Sequence, residues 1–265
     1  MAIAAEHAHN GGPTVSVVIP VKDDSAELAV CLAALRTQSR PAEEIIVVDN
    51  ASSDDSAATA AAHGARVVYC ADPGIPAAAS RGYDAAAGDL ILRLDADCRP
   101  PRSWICDVVA AFSQRPEISA LTGPARFIDG PVLLRTPLAL TYLGAYTVVS
   151  AAALGHRPLF GSNLAMRREA WQAVRTSVHR ADAELHDDLD LSFHIGEHHR
   201  VGRLRARPMG ISMRPFGSAR SLRRRLGRGF RTVLIHWPDD FPPQRWARLR
   251  RRPRLPTTAD ADDHA

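Results

Sequence analysis

The run VSVVIP (15–20) is β-branched, almost wholly apolar and stopped by proline, which predicts a buried strand. Leu28, Cys31, Leu32 and Leu35 then recur at helical spacing, and Asp24 with Glu27 has the form of a capping box at that helix's start. EIIVVDN (44–50) predicts a second strand, followed by the turn ASSDDS and an alanine-rich helix to about His63. ARVVYC (65–70) predicts a third strand, residues 76–87 a second alanine-rich helix ended by Gly88, and DLILRLD (89–95) a fourth strand. Strand–helix alternation with short joints predicts an α/β fold class: a central, mostly parallel sheet with helices on both faces.

Beyond residue 100 the periodicity loosens. PPRSWICDVVAAF opens with prolines and continues as an amphipathic helix, and a strand is expected near ISALTGPARF. Residues 137–155 are uncharged, GSNLAMRREAW (161–171) reads as loop, short strand and helix start, and HDDLDLSFHIGEHH (186–199) as a helix. Its acidic opening suits the helix dipole. GRLRARPMGISMRP suggests an edge hairpin, and ARSLRRRLGRGFRTVLIHW (219–237) a basic helix with Leu222, Leu226, Phe230 and Leu234 on one side. Residues 1–13 read as a loose arm and 255–265 as a disordered tail.

Composition adds two points. The 265 residues, 46% of them hydrophobic, suffice for one large domain or a domain with an appendage. Cys31, Cys70, Cys98 and Cys106 show no paired spacing and read as small buried hydrophobes, and no basic-then-apolar signal opens the chain, so a cytoplasmic setting is expected. Second, the net charge of +4 hides an asymmetry. Residues 200–254 hold 17 arginines against Asp239 and Asp240, a net +15, which leaves −11 for the rest. That polarity suits an anionic surface. Residues 137–155 approach membrane-spanning length, but their Ala, Gly, Thr, Ser and Tyr insert poorly, so a buried or interfacial helix is expected. The segment 219–254, with Trp237 and Trp246, fits a basic helix at the inner face of a membrane.

The polar residues fall where the strands end: Lys22 and Asp23, Asp49, then Asp95 and Asp97. Ligands of open α/β sheets bind beyond the carboxyl ends of the strands, so these positions define one crevice. Asp95-x-Asp97 suits a hard cation, Mn²⁺ or Mg²⁺, completed by substrate phosphates; alone it would equally be an acidic turn. A nucleic-acid-binding role leaves these carboxylates unexplained, because they repel phosphate. No glycine-rich basic loop follows the first strand, which argues against a nucleotidyltransferase. His194 and His198 stand four apart, a metal-ligand spacing, but with no glutamate base between them and exposed neighbours they are not read as a zinc site.

The set VVIPVKD, EIIVVDNASSD, ASRGYDAAAGDLILRLDAD, GSNLAMRREAW and HDDLDLSFHI resembles a family-2 glycosyltransferase of the GT-A fold, in order and spacing over about residues 14–205. The resemblance implies a metal-dependent, inverting transfer of sugar from a nucleotide-sugar (UDP-, GDP- or dTDP-linked) to an acceptor hydroxyl, with a lipid-linked acceptor favoured by the uncharged helix and basic tail. It implies that Pro20, Val21 and Asp23 line the nucleotide pocket, that Asp49 accepts from base or ribose, and that Arg81 stands near the diphosphate. Asp95 and Asp97 become the DXD metal motif. Gly161, Ser162 and Asn163 become the loop over donor sugar and acceptor, His186 lines the acceptor site or caps a helix, and Asp187-Asp188 matches the family's Glu-Asp pair with Asp188 as base. It divides the chain into a catalytic domain over 14–210, split at 100/101 into nucleotide and acceptor halves, and a basic helical extension over 211–254. Three departures stand out: Gly82 where the family has asparagine, Asp187 for glutamate, and Arg99 where polyprenol-phosphate transferases often carry glutamine. Arg99 is read as a possible phosphate contact. The competing readings are an inactive transferase-like protein and an arginine-rich polyanion binder.

Overall fold

A computed structural model describes residues 12–214 and 218–251. The expected arm, apart from residues 12 and 13, and the expected tail at 255–265 lie outside the described residues. Strands β1 (Val15–Val21), β2 (Glu44–Asp49), β3 (Arg66–Tyr69) and β4 (Leu90–Arg93) alternate with helices α1 (Ser25–Arg36), α2 (Ser56–Ala62) and α3 (Ile75–Ala85), as the periodicity predicts. All four strands run parallel, with β1 between β2 and β4. After α4 (Trp104–Gln114) come β5 (Ile118–Thr122), β6 (Ala125–Phe127) and the long helix α5 (Val132–Leu154). A 3₁₀ turn at Gly161–Asn163 leads into β7 (Leu164–Arg167) and α6 (Arg168–Val174); then follow α7 (Asp187–His198), β8 (Arg200–Arg203), β9 (Met209–Ile211), α8 (Ala219–Ile235) and α9 (Pro242–Arg250). The main sheet has seven strands in the order β3-β2-β1-β4-β7-β5-β8, with only β7 antiparallel to its neighbours.

Strand alternation divides the core. Val15, Val17, Ile19, Leu90 and Leu92 point to one face, where Leu28 and Leu32 of α1 and Trp104, Val108 and Phe112 of α4 cover them. Val18, Ile46, Val48 and Ile91 point to the other, against Ala77–Ala79 and Tyr83 of α3, Trp171 of α6 and Leu191 and Ile195 of α7. Gly82 lets α3 sit this close: a Cβ there would meet Val18 Cγ1 at 2.3 Å and Val48 Cγ2 at 2.8 Å. The missing asparagine at this position therefore has a packing cause.

Four expectations are corrected. GRLRARPMGISMRP is not a hairpin: β8 joins the main sheet parallel to β5, while β9 pairs in parallel with β6 in a separate two-stranded sheet. The apparent capping box at α1 does not close, because Asp24 turns to Arg214 and Glu27 to Arg99 instead. Arg99, held by Glu27 and by its 3.0 Å bond to the Cys98 carbonyl, is thus spent on structure and does not line the cleft described below. Cys106 is exposed, on the outer side of α4, whereas the other three cysteines are buried.

Candidate functional site

The carboxyl ends of β1 and β4, the 3₁₀ turn, the start of α7 and one side each of α5 and α8 enclose a cleft of about 300 Å³. Pro20, Val21, Lys22, Asp24 and Asn50 line it with Asp95 and Asp97 at the end of β4, Gly161 and Ser162 of the 3₁₀ turn, and His186, Asp187 and Asp188 at the head of α7. Residues far apart in the chain converge because a parallel sheet delivers successive strand ends to one edge.

The keystone is Arg93, whose charge interrupts the apolar strand LILRLD. Period two puts it on the face of Ile91, toward α7, and it is 2% exposed. Its Nη2 donates to Asp95 Oδ1 at 3.0 Å, and its Nη1 lies 2.8 Å from Asp187 Oδ2. Gly161 makes room for it, since a Cβ there would fall 2.0 Å from Arg93 Nη1. Asp188 is buried beside this pair: its Oδ2 accepts the Gly161 N–H at 2.9 Å and its Oδ1 the Leu189 N–H at 2.8 Å. These bonds aim the carboxylate while leaving lone pairs toward the cleft. Burial pushes the Asp187 carboxyl well up, Arg93 pulls it back, and the charge on Asp188 adds to the rise.

At the Asp95/Asp97 pair, Asp95 Oδ2 accepts from Ser162 Oγ at 2.6 Å, tying the strand end to the 3₁₀ turn. Asp97 Oδ2 accepts from Arg214 Nη2 at 2.8 Å, and the same guanidinium grips Asp24 at 2.6 and 2.9 Å. Burial and the neighbouring Asp95 push the Asp97 carboxyl up. The cleft is rich in arginine as well: Arg214, Arg225 and Arg228 line it beside Tyr142 and Tyr146 of α5.

Of the other sequence-derived positions, Asp23, Asp49, Arg81 and Asn163 lie outside the cleft lining, while His186 belongs to it. Asp23 is exposed, at a left-handed φ of 50°, and its Oδ1 takes the N–H and hydroxyl of Ser53, so it fastens the loops after β1 and β2. Asp49 is buried at the end of β2 and accepts the Ser52 N–H at 3.1 Å. Arg81 is exposed on α3 and does not reach the cleft. Asn163 lies beneath the cleft, accepting from Trp104 Nε1 and donating to the Pro124 carbonyl, both at 2.9 Å. His186 stands at the head of α7, 3.8 Å from Asp188, with its N–H on Thr232 and its ring on the Arg225 carbonyl. Arg93 was the one missed residue with a local signal. Tyr142, Tyr146, Arg214, Arg225 and Arg228 had none, because only tertiary packing turns them inward.

Comparison with known proteins agrees with this architecture. The family model described as glycosyl transferase family 2 matches residues 16–174. An uncharacterised glycosyltransferase of Mycobacterium tuberculosis is 40% identical over 119 residues, 45% of this chain and 52% of that protein. An undecaprenyl-phosphate 4-deoxy-4-formamido-L-arabinose transferase of Yersinia enterocolitica is 39% identical over 111 residues, 38% of this chain and 34% of that protein. The chain thus spans about half the length, or less, of these curated relatives. Among solved structures, a mannosyltransferase of Pyrobaculum calidifontis in complex with GDP-Man and Mn²⁺ superimposes with a TM-score of 0.66 at 19% identity, covering 91% of this chain and 70% of that one. Glucosyl-3-phosphoglycerate synthase of Mycobacterium tuberculosis, in complex with Mn²⁺, UDP-glucose and phosphoglyceric acid, does so with 0.54 at 22% identity, covering 84% and 80%. The fold is shared with these structures, the family model covers more than half of the sequence, and the chain belongs to glycosyl transferase family 2.

Proposed function

We propose that the chain transfers a sugar, with inversion, from a nucleotide-sugar to a hydroxyl of an acceptor presented at a membrane surface. The observation that carries this reading is the convergence, in one cleft, of the Asp95/Asp97 pair, buried Arg93 and the aimed carboxylate of Asp188. Complexes of the fold neighbours with GDP-Man and with UDP-glucose, both with Mn²⁺, support a nucleotide-sugar and a divalent cation.

The donor set fits such a cation. Asp95 and Asp97 bring oxygen ligands within 4.8 Å of one another, the hard donors that Mn²⁺ and Mg²⁺ prefer. Mn²⁺ or Mg²⁺, when bound, offsets the charge of the departing diphosphate. In the transfer itself, Asp188 takes the proton of the acceptor hydroxyl while that oxygen forms its bond to the anomeric carbon, and the bond from that carbon to the diphosphate oxygen breaks. Asp187, through Arg93, couples the helix carrying the base to the strand end carrying Asp95.

The membrane assignment rests on α5 and α8. Val132, Leu133, Leu140, Val148 and Val149 of α5 are each about 70% exposed or more, although Ala139, Ser150, Ala153 and Leu154 pack inward. By length and composition α5 could cross a membrane. Its inward packing and Pro137 favour a helix lying in the interface, at the inner face of the cell membrane. Leu226 and Phe230 expose a second apolar edge on the arginine-rich α8, and both helices flank the cleft. An acceptor joined to a lipid phosphate would enter between them, past Arg225 and Arg228. The chain is tested by titration with UDP-, GDP- and dTDP-sugars with and without Mn²⁺. Stabilisation by one donor, dependent on metal and lost in Asp97→Ala, supports the reading; silence toward every donor overturns it. Failure to sediment with anionic vesicles at low salt overturns the membrane part alone.

A further inference from the structure

Two residues beyond Asp188, on the other side of the helix, α7 begins a second charged cluster that the cleft does not use. Asp190 and His194 are four residues apart and share a face of the helix. His179, from the segment between α6 and α7, and His236, the residue after α8, close over them. Asp190 Oδ1 is met by His179 Nδ1 at 2.7 Å, by His236 Nε2 at 3.0 Å and by His194 Nε2 at 3.6 Å. The three imidazole centres are 5.1, 5.3 and 5.6 Å apart.

Hydrogen bonding accounts for only part of this. Asp190 Oδ2 is occupied by the His179 N–H at 2.9 Å. His194 Nε2 is buried and makes no hydrogen bond. Three rings therefore crowd one oxygen while one of their nitrogens is left over. A tetrahedral zinc ion with ligands at about 2.0–2.1 Å holds its donor atoms about 3.3 Å apart and its imidazole centres about 5 Å apart. The distances from Asp190 to the three nitrogens bracket the first value, and the ring spacings lie at or slightly above the second. The surroundings also suit a metal: His236 Nδ1 is 3.7 Å from Asp240, a carboxylate behind a ligating imidazole, and Phe193 stacks on the same ring with 4.0 Å between centres.

We propose that His179 Nδ1, His194 Nε2, His236 Nε2 and Asp190 Oδ1 bind one Zn²⁺ as a closed structural site. Three imidazoles and a carboxylate fill a tetrahedron, so no position remains for water or substrate. The ion joins three segments: α7, which presents Asp187 and Asp188 to the cleft; the 175–186 connection; and α8, which presents Arg225 and Arg228. Besides the two bonds from His186 to Thr232 and to the Arg225 carbonyl, the polar ties of α8 to the 175–186 connection are exposed pairs, Arg224 and Arg228 with Glu184 and Arg231 with Asp182. Such pairs are individually weak. The residue paired with His194 is thus Asp190, four positions before it, and not His198.

The proposal does not depend on the transferase reading and is tested without it. The whole chain, purified without added metal, is assayed for metal content, stripped with a strong chelator, and titrated with Zn²⁺ and Co²⁺. The expected results are one zinc per chain, a melting temperature that falls on stripping and recovers with Zn²⁺, and the intense visible bands of tetrahedral Co²⁺. His194→Gln, checked for native circular dichroism, is expected to weaken Zn²⁺ more than about 100-fold, beyond the 10- to 100-fold effect of losing an outer partner. Asp97→Asn is expected to keep its zinc. Less than a tenth of an equivalent of zinc with no thermal response, or zinc lost in Asp97→Asn but kept in His194→Gln, overturns the proposal.

Discussion

Helix α7 carries two carboxylate clusters within its first turn, on different sides, and they are built in opposite ways. At its head, Asp187 and Asp188 face an open cleft and are answered by one buried guanidinium and by backbone N–H groups. Two residues past Asp188, and so on the other side of the helix, Asp190 faces three imidazoles. The first leaves oxygen lone pairs, space and a route for a ligand, which is what group transfer needs. The second leaves no room for a substrate and can only hold segments together. In the proposed reading one side of the helix supplies the reacting group and the other the means of fixing that group's position.

The largest expected effect at the open cluster comes from Asp188→Asn. It should lower transfer about 10²- to 10⁴-fold while calorimetry shows donor binding unchanged, because removal of a general base leaves the donor contacts intact. Surviving turnover would place the base elsewhere. Next comes Arg93→Met, which leaves Asp95 and Asp187 without their shared partner; breaking such a buried pair should cost about 3–5 kcal/mol in urea denaturation. A cost under about 1 kcal/mol would show that the cluster stands without its keystone. Gly82→Ala drives a methyl group into Val18 and Val48 beneath the same strand ends, and overpacking of this kind should cost about 1–3 kcal/mol by the same measurement. The smallest effect is expected for Arg214→Ala. Its half-exposed pairs with Asp24 and Asp97 are worth about 0.2–1 kcal/mol, so Mn²⁺ should bind at most about fivefold more tightly to the donor-free chain once that competitor is gone. Weaker Mn²⁺ binding would mean that Arg214 assists the metal.

Legibility differed between the halves of the chain for a physical reason. From Val15 to Asp97 each strand is followed by the helix that covers it, so local periodicity and sheet topology carry the same information, and β1 to β4 appear where the apolar runs stand. Past residue 100 neighbours in sequence cease to be neighbours in space. β8 pairs with β5 across about 80 residues and β9 with β6 in another sheet, so two short strands joined by a turn looked like a hairpin and were not. The Asp24/Glu27 spacing misled similarly, because arginines distant in sequence or on another segment outcompeted the helix's own N–H groups for both carboxylates.

The sequence by itself determined the parallel α/β sheet, the strand-end aspartates and the acidic start of α7, since period-two and period-3.6 patterns and helix-dipole preferences are local. Only the tertiary structure decided that Arg93 joins Asp95 to Asp187, that Arg81 and Arg99 stay outside the cleft while Arg214, Arg225 and Arg228 enter it, and that His179 and His236 meet at Asp190. Charge–charge and ligand geometries depend on distances of a few ångströms between segments tens of residues apart, and those distances are set by packing rather than by spacing along the chain.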